Sequence, residues 1–322
     1  NATRIRAQMD AAQAAARAAA LAAQSAVPNG LGDGGLKVAN GVALDPKLWV
    51  GADGPMQSQG ANGRTTVSVN QTQDKAILNW DSFNVGRETD LTFNHHGNSN
   101  WVTLNRVVGN SADPSQILGT IKADGSVYVL NQNGVIFGGA SQVNARNIVA
   151  AAATMTDQHF RDYGIYARVT QTSAGAQPSA VVESFTAAKG EVKVEAGARI
   201  TTTAPKSVVE AGGFVMLLGS KVENAGSIRT DRGQTLLAAG DRFLIRPGYG
   251  TDANQRSTTR GNEVQVTVGA DSSAGRVANT GLIEARQGDI TLAGEQGVQS
   301  GVAVATAHVH APGPIHLLSN VA

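Results

Sequence analysis

The sequence predicts an all-β solenoid, a parallel β-helix wound from short strands, and three observations point to it. From Leu36 to Ala322 the chain reads as short β-rich runs separated by Gly, Asn and Asp. Nothing in that span is long enough for a βαβ crossover. An antiparallel sandwich or a barrel would use similar strands, so the choice rests on repetition. Asn224-Ala225-Gly226-Ser227-Ile228, continuing to Gly233 and Leu237-Ala238, returns 55 residues later as Asn279-Thr280-Gly281-Leu282-Ile283, continuing to Gly288 and Leu292-Ala293.

The elements follow in order. Thr3 to Ala26 is rich in Ala, Gln and Arg and stops at Val27-Pro28-Asn29-Gly30, which predicts one helix. Its only large apolar residues are Ile5, Met9 and Leu21, so it is expected to lie on something else as an appendage or cap. Strands are expected at Thr65 to Val69, Ala76 to Trp80, Trp101 to Leu104, Val127 to Leu130 and Val135 to Phe137. Gln158 to Pro178 and the polar run Arg246 to Gly261 read as excursions from the coil, the first as a hairpin and the second as a loop. A looser echo of the repeat starts at Ala196-Gly197-Ala198-Arg199-Ile200 and is followed by the apolar run Phe214 to Leu218.

Each unit is an Asn/Gly turn, a strand with one buried aliphatic, a second Gly turn and another strand. An inward aliphatic contributes roughly 1.5–3 kcal/mol when fully buried, and only if neighbouring turns cover it. Stacking is therefore obligatory. Asn and Gly suit the corners because both tolerate left-handed backbone, and stacked Asn side chains can hydrogen-bond along the axis.

Composition narrows the function. With 26 Lys+Arg against 25 Asp+Glu in 322 residues, the chain has no cationic excess for phosphates, so nucleic acid is not expected as a partner. It has no cysteine, which removes disulfides, thiolate metal sites and a cysteine nucleophile. A chain without cross-links also suits passage through a narrow pore. No apolar window is long enough for a spanning helix, and the Ala-rich opening, interrupted by Arg4, Arg6, Asp10 and Arg17, is unlike a signal peptide core. The opening reads as already processed.

Ala76-Ile77-Leu78-Asn79-Trp80-Asp81-Ser82-Phe83-Asn84-Val85-Gly86 resembles the opening signature of the filamentous-haemagglutinin type secretion domain, the haemagglutination activity domain. Asn105-Arg106-Val107-Val108-Gly109, Pro114-Ser115-Gln116-Ile117-Leu118-Gly119 and Val127 to Gly138 follow in the family's order, so the resemblance covers about Leu36 to Thr154. Asn79, Trp80, Phe83, Asn84, Asn105 and Arg106 carry the signature. The family's Asn-Pro-Asn-Gly turn falls on Asn131, Gln132, Asn133 and Gly134, with Gln132 in place of the proline that would preset φ. No second Asn-Pro-Asn-Leu motif is present, which brings the pattern closer to the adhesin and haem-acquisition branch than to the haemagglutinin prototype.

The resemblance implies a right-handed β-helix and the N-terminal domain of a two-partner secretion exoprotein. It implies a dedicated outer-membrane transporter as partner, acting through periplasmic POTRA domains, and a product that crosses the periplasm to the bacterial surface. Asn131, Asn133 and Gly134 become candidates for transporter recognition or for a structural turn. Three segments are expected: a helical extension (1–28), the secretion core with the first turns and cap (29–155), and further turns with the two excursions (156–322). The chain is expected to be a monomer without cofactor.

Competing chemistry is weaker. Gly30-x-Gly32-x-x-Gly35 fits the dinucleotide fingerprint by letter, but it follows a helix and a proline, so it reads as a flexible linker. His308, His310 and His316, and His95-His96, allow a metal site to be drawn but lack a carboxylate cluster, and read as solvated strand residues. There is no Gly-x-Ser-x-Gly elbow, and the Asp and Glu are too scattered for a polysaccharide lyase or glycosidase. No enzyme is expected. Trp49, Trp80 and Trp101 could form a sugar-stacking platform, with Trp80 expected in the core and Trp49 the most exposed. Such a platform would make the chain a binding module for a host surface glycan or protein.

Overall fold

The computed structural model describes residues 26–40, 45–60, 62–170, 180–207, 210–248, 261–269, 274–305 and 315–318. The predicted helix from Thr3 to Ala26 falls outside this set but for its last residue. The described chain is a parallel β-helix whose turns stack into three sheets. One turn runs from Ser126–Leu130 in the first sheet, through Gly134–Phe137 in the second and Gln142–Ala145 in the third, to Ile148–Ala151 back in the first.

The sequence repeat is the stacking register. Asn224 pairs with Asn279, Ile228 with Ile283 and Leu237 with Leu292 on adjacent turns. The inward column of the third sheet is a line of aliphatics, Leu91, Ile121, Val143, Ile200, Ile228 and Ile283, all buried. The repeated glycines are set by close approach of the turns. A Cβ on Gly233 would stand 1.7 Å from the Gly213 carbonyl oxygen, and one on Gly288 2.1 Å from that of Gly233. No side chain fits there.

The sheets differ in what covers them. Glu191–Val194 alternates exposed and buried residues, as expected where one face meets solvent. Strands of the first sheet, such as Phe214–Gly219, are apolar on both faces. Leu217 points into the helix interior, while Met216 and Leu218 belong to a second apolar cluster with Phe160, Phe185, Phe243 and Ile245. That outer layer is made by the excursions.

Both excursions are wider than the sequence indicated, and both leave between the first and second sheets. The first is not a simple hairpin. A helix, Asp157–Tyr163, is capped by the Thr156 side chain and stopped at Gly164 (φ 62°), and a hairpin of Arg168–Thr170 with Ala180–Val182 follows. The second is a hairpin of Arg242–Pro247 with Asn262–Thr267, not a loop from Arg246 to Gly261 alone. A bridge between Phe185 and Phe243 joins the two excursions.

At the N-terminal end antiparallel strands cover the edges. Leu36–Val38 and Trp49–Val50 pair with Lys75–Phe83, and Met56–Gln59 pairs with Thr65–Asn70. The glycine-rich stretch is part of this cap and not a flexible linker. Leu36 N–H donates to the Gly30 carbonyl at 3.0 Å, and Gly30 N–H donates to Thr89 Oγ1 at 2.9 Å. Trp49 also departs from expectation: it is 5 % exposed, packs edge-on against Trp80 at 4.9 Å, and donates from Nε1 to the Asp53 carbonyl. With Trp80 fully buried as well, the tryptophans form no sugar platform.

Candidate functional site

The corner where the chain passes from the first sheet to the second gathers the family motifs. Its first three levels are Ser82 to Val85, Val107 to Ser115 and Asn131 to Gly134, and the excursions leave from the same corner further on. A cleft of about 610 Å³ opens between these levels and the cap, with Lys37, Asp81, Asn84, Asp113 and Asn131 among its lining residues. Lys37 pairs with Asp33 at 2.9 Å and reaches Asp81 at 3.8 Å. The hydrogen bond and charge of Asp33 raise the pKa of Lys37, and Lys37 lowers that of Asp33.

Asn131 is the structural centre of the turn. Its Nδ2 donates to the Asp113 carbonyl and to Ser115 Oγ, both at 3.1 Å, and its Oδ1 accepts the Asn133 N–H at 3.0 Å. Its carbonyl accepts Gly134 N–H at 2.9 Å, closing the turn. Both polar ends of the amide are thus used inside the fold, and the residue is 3 % exposed. Asn133 is half-buried and donates from Nδ2 to the Ser111 carbonyl at 2.8 Å. Gly134 has φ 128°, and a Cβ there would lie 2.7 Å from the Glu191 carbonyl oxygen. Gln132 keeps the turn without the proline: its Nε2 donates to the Ala187 carbonyl and its carbonyl accepts Gly190 N–H.

The signature residues divide into three groups. Trp80 Nε1 donates to Asn105 Oδ1 at 3.0 Å deep in the interior, and Asn105 Nδ2 donates to the Tyr128 carbonyl at 3.2 Å. Phe83 packs edge-on against Trp80 at 5.4 Å. Asn79 and Arg106 form a second group, joined by a 2.9 Å bond from Arg106 Nε to Asn79 Oδ1. From there Arg106 reaches the Met155 carbonyl and pairs with Asp157 at the start of the excursion helix. Asn84 stands apart. Its Oδ1 accepts Gln116 N–H at 2.8 Å, so an amide side chain does the work of a strand carbonyl at the edge of the second sheet.

Sequence reasoning missed the partners that fix these groups. Ser111 and Asp113 act through their carbonyls, which any residue supplies, so no side-chain signal marked them. Lys75 was also missed; its ammonium donates to the carbonyls of Phe160 and Arg161 at the end of the excursion helix. Among the described residues no cluster of three His, Cys, Asp or Glu could hold a metal ion. His308 and His310 lie outside the described residues.

The model of the TPS secretion domain family matches residues 41–310. The heme/hemopexin-binding protein of Haemophilus influenzae strain Rd is 28% identical over 227 residues, covering 70% of this chain and 21% of that protein. A second Haemophilus influenzae heme/hemopexin-binding protein is 37% identical over 84 residues, 26% of this chain and 9% of its own length. The chain therefore spans about a fifth or less of the length of these relatives. Among solved structures, the HMW1 secretion domain from Haemophilus influenzae superposes with a TM-score of 0.55 at 21% identity, covering 80% of this chain and 60% of that one, a likeness of fold.

Proposed function

This chain belongs to the TPS secretion domain family, and from that premise we propose that it is the address by which an exoprotein is exported, read by the periplasmic POTRA domains of its transporter before the domain folds. Family members are secreted through the periplasm to the cell surface or beyond. The observation that carries the timing is the burial of the motif side chains. Asn131 has both ends of its amide engaged, and Trp80, Phe83, Asn79 and Asn105 are at most 2 % exposed. A partner can read such groups only while the chain is extended.

Folding then hides the address. Turns that contact only their neighbours can nucleate once and propagate as chain emerges, which gives export a direction. In this reading Asn133 serves twice, as a turn residue on Ser111 and as part of the transporter contact. The domain itself carries no catalysis.

Export from a Gram-negative host expressing the cognate transporter tests the address. Asn133→Ala loses one side-chain hydrogen bond, about 1 kcal/mol, too little to unfold the domain. That variant is therefore expected to fold when purified but to be retained inside the cell. Export at the wild-type level, or export that ignores the transporter, would remove the reading.

The named relatives favour a second reading for the longer protein, the capture of heme or hemopexin. We place that binding outside this chain, so heme added to the isolated domain should give no change in its absorbance.

A further inference from the structure

The third sheet hands over to the first at the loop after Asn94, where His95 is fully buried. Its Nδ1 accepts Gly125 N–H at 2.9 Å, so the ring proton sits on Nε2, which donates to Thr103 Oγ1 at 2.9 Å. Thr103 Oγ1–H donates to Gln71 Oε1 at 2.6 Å, and Gln71 Nε2 donates to the Gln73 and Val102 carbonyls. Every member has one role, and together they join four successive pieces of the first turns. A second ring proton has nowhere to go, because Nδ1 faces an N–H donor.

We propose that the His95–Thr103–Gln71 relay is an acid-sensitive lock on the first turns: with His95 neutral the corner closes and the turns stack, and with His95 protonated it opens. This goes beyond the export reading, because it makes folding of the N-terminal end conditional on pH whichever partner reads the chain.

The surrounding charges do not rescue the cation. Asp124 favours it, but its Oδ2 accepts Gly97 N–H, and the neighbouring His96 opposes it. On the segment after Gln71, Asp74 accepts Lys75 N–H and the Lys75 ammonium runs to the excursion helix. On the strand from Val102, Arg106 is turned to Asn79 and Asp157, and Lys122 on the strand before Gly125 is exposed. Burial is the main cause that pushes His95 from 6.5 down to about 4. The unfolded chain therefore binds the extra proton first, and stability present above pH 6.5 is lost as pH falls from there towards 4.

Urea unfolding of the whole chain at pH 7.5, 6.5 and 5.5 tests this against His95→Gln. The wild-type midpoint should fall with pH across that range, while the variant starts lower and changes less. Parallel falls would overturn the proposal. Ring nitrogen shifts of His95 in the folded wild type give a second reading that needs no variant. Nδ1 should stay unprotonated and Nε2 protonated at pH 5.5, and titration near 6.5 would overturn the lock.

Discussion

The first turns close on Trp49, Trp80 and Phe83, set edge to edge, with Asn105 buried beside them to take the indole proton. Several turns on, the same interior is filled by Leu217, Leu237 and Leu292 in register, and the corner between the second and third sheets by Asn224 bonded to Asn279 and Asn279 to Gln299. Antiparallel strands cover the early end. Among the described residues none covers the late end, where Gln296–Gln299 and Val302–Val304 are edge strands. The difference teaches that a closed end requires particular shapes and hence a signature in one place. A stacked body requires only that each turn match the one before it, and so it repeats.

The comparison can be broken most forcefully at Trp80. Trp80→Ala would leave a large cavity and an unsatisfied Asn105, and loss of a buried aromatic costs about 3–5 kcal/mol. It is expected to unfold the first turns, seen as loss of amide-exchange protection in the strands Lys75–Phe83 and Val102–Val107 together. Equal protection in variant and wild type would mean the cap is not the closing element.

A smaller effect sharpens the other side. Asn279→Ala removes one rung of the amide ladder and both of its bonds, to Asn224 and to Gln299, and a net loss of about 2 kcal/mol is expected in urea unfolding. The exchange change should stay near Asn224 and Gln299, because a repeated ladder spreads its support over many equivalent contacts. Loss of protection as far as Trp80 would contradict the division into two regimes.

Legibility in the sequence followed the same division. The body was readable because Ile228 and Ile283, or Leu237 and Leu292, stand in the same register in the chain and in space. The cap was readable only as a resemblance, since nothing in the spelling of Trp80 and Asn105 says that they meet. Trp49 was misjudged because its burial depends on Leu48 and Trp49 folding back on Lys75–Phe83, a contact no periodicity records. Both excursions read as interruptions of the coil, the second of them as a polar run. Their apolar undersides, Phe160, Phe185 and Phe243, had a signal in the two-faced apolar strands they cover, such as Phe214–Gly219, which required a second layer. The helix Asp157–Tyr163 is bounded by Thr156 and Gly164, its two caps, a signal that the hairpin reading of Gln158 to Pro178 did not use. At the candidate site, Asn131 and Gly134 were legible by motif, but their division of labour with Asn133 depended on carbonyls of Ser111 and Asp113 that carry no sequence mark.

The most direct test of the central claim, that the address is read before folding hides it, is titration of the transporter's periplasmic domains with this chain in two states. One sample is the folded wild type; the other is Trp80→Ala under conditions where it is unfolded and the wild type is not. Binding to the unfolded chain, weakened when Asn131→Ala is added to it, with little binding to the folded domain, is the predicted result. Tighter binding to the folded domain would contradict the account and move recognition to the surface of the finished β-helix.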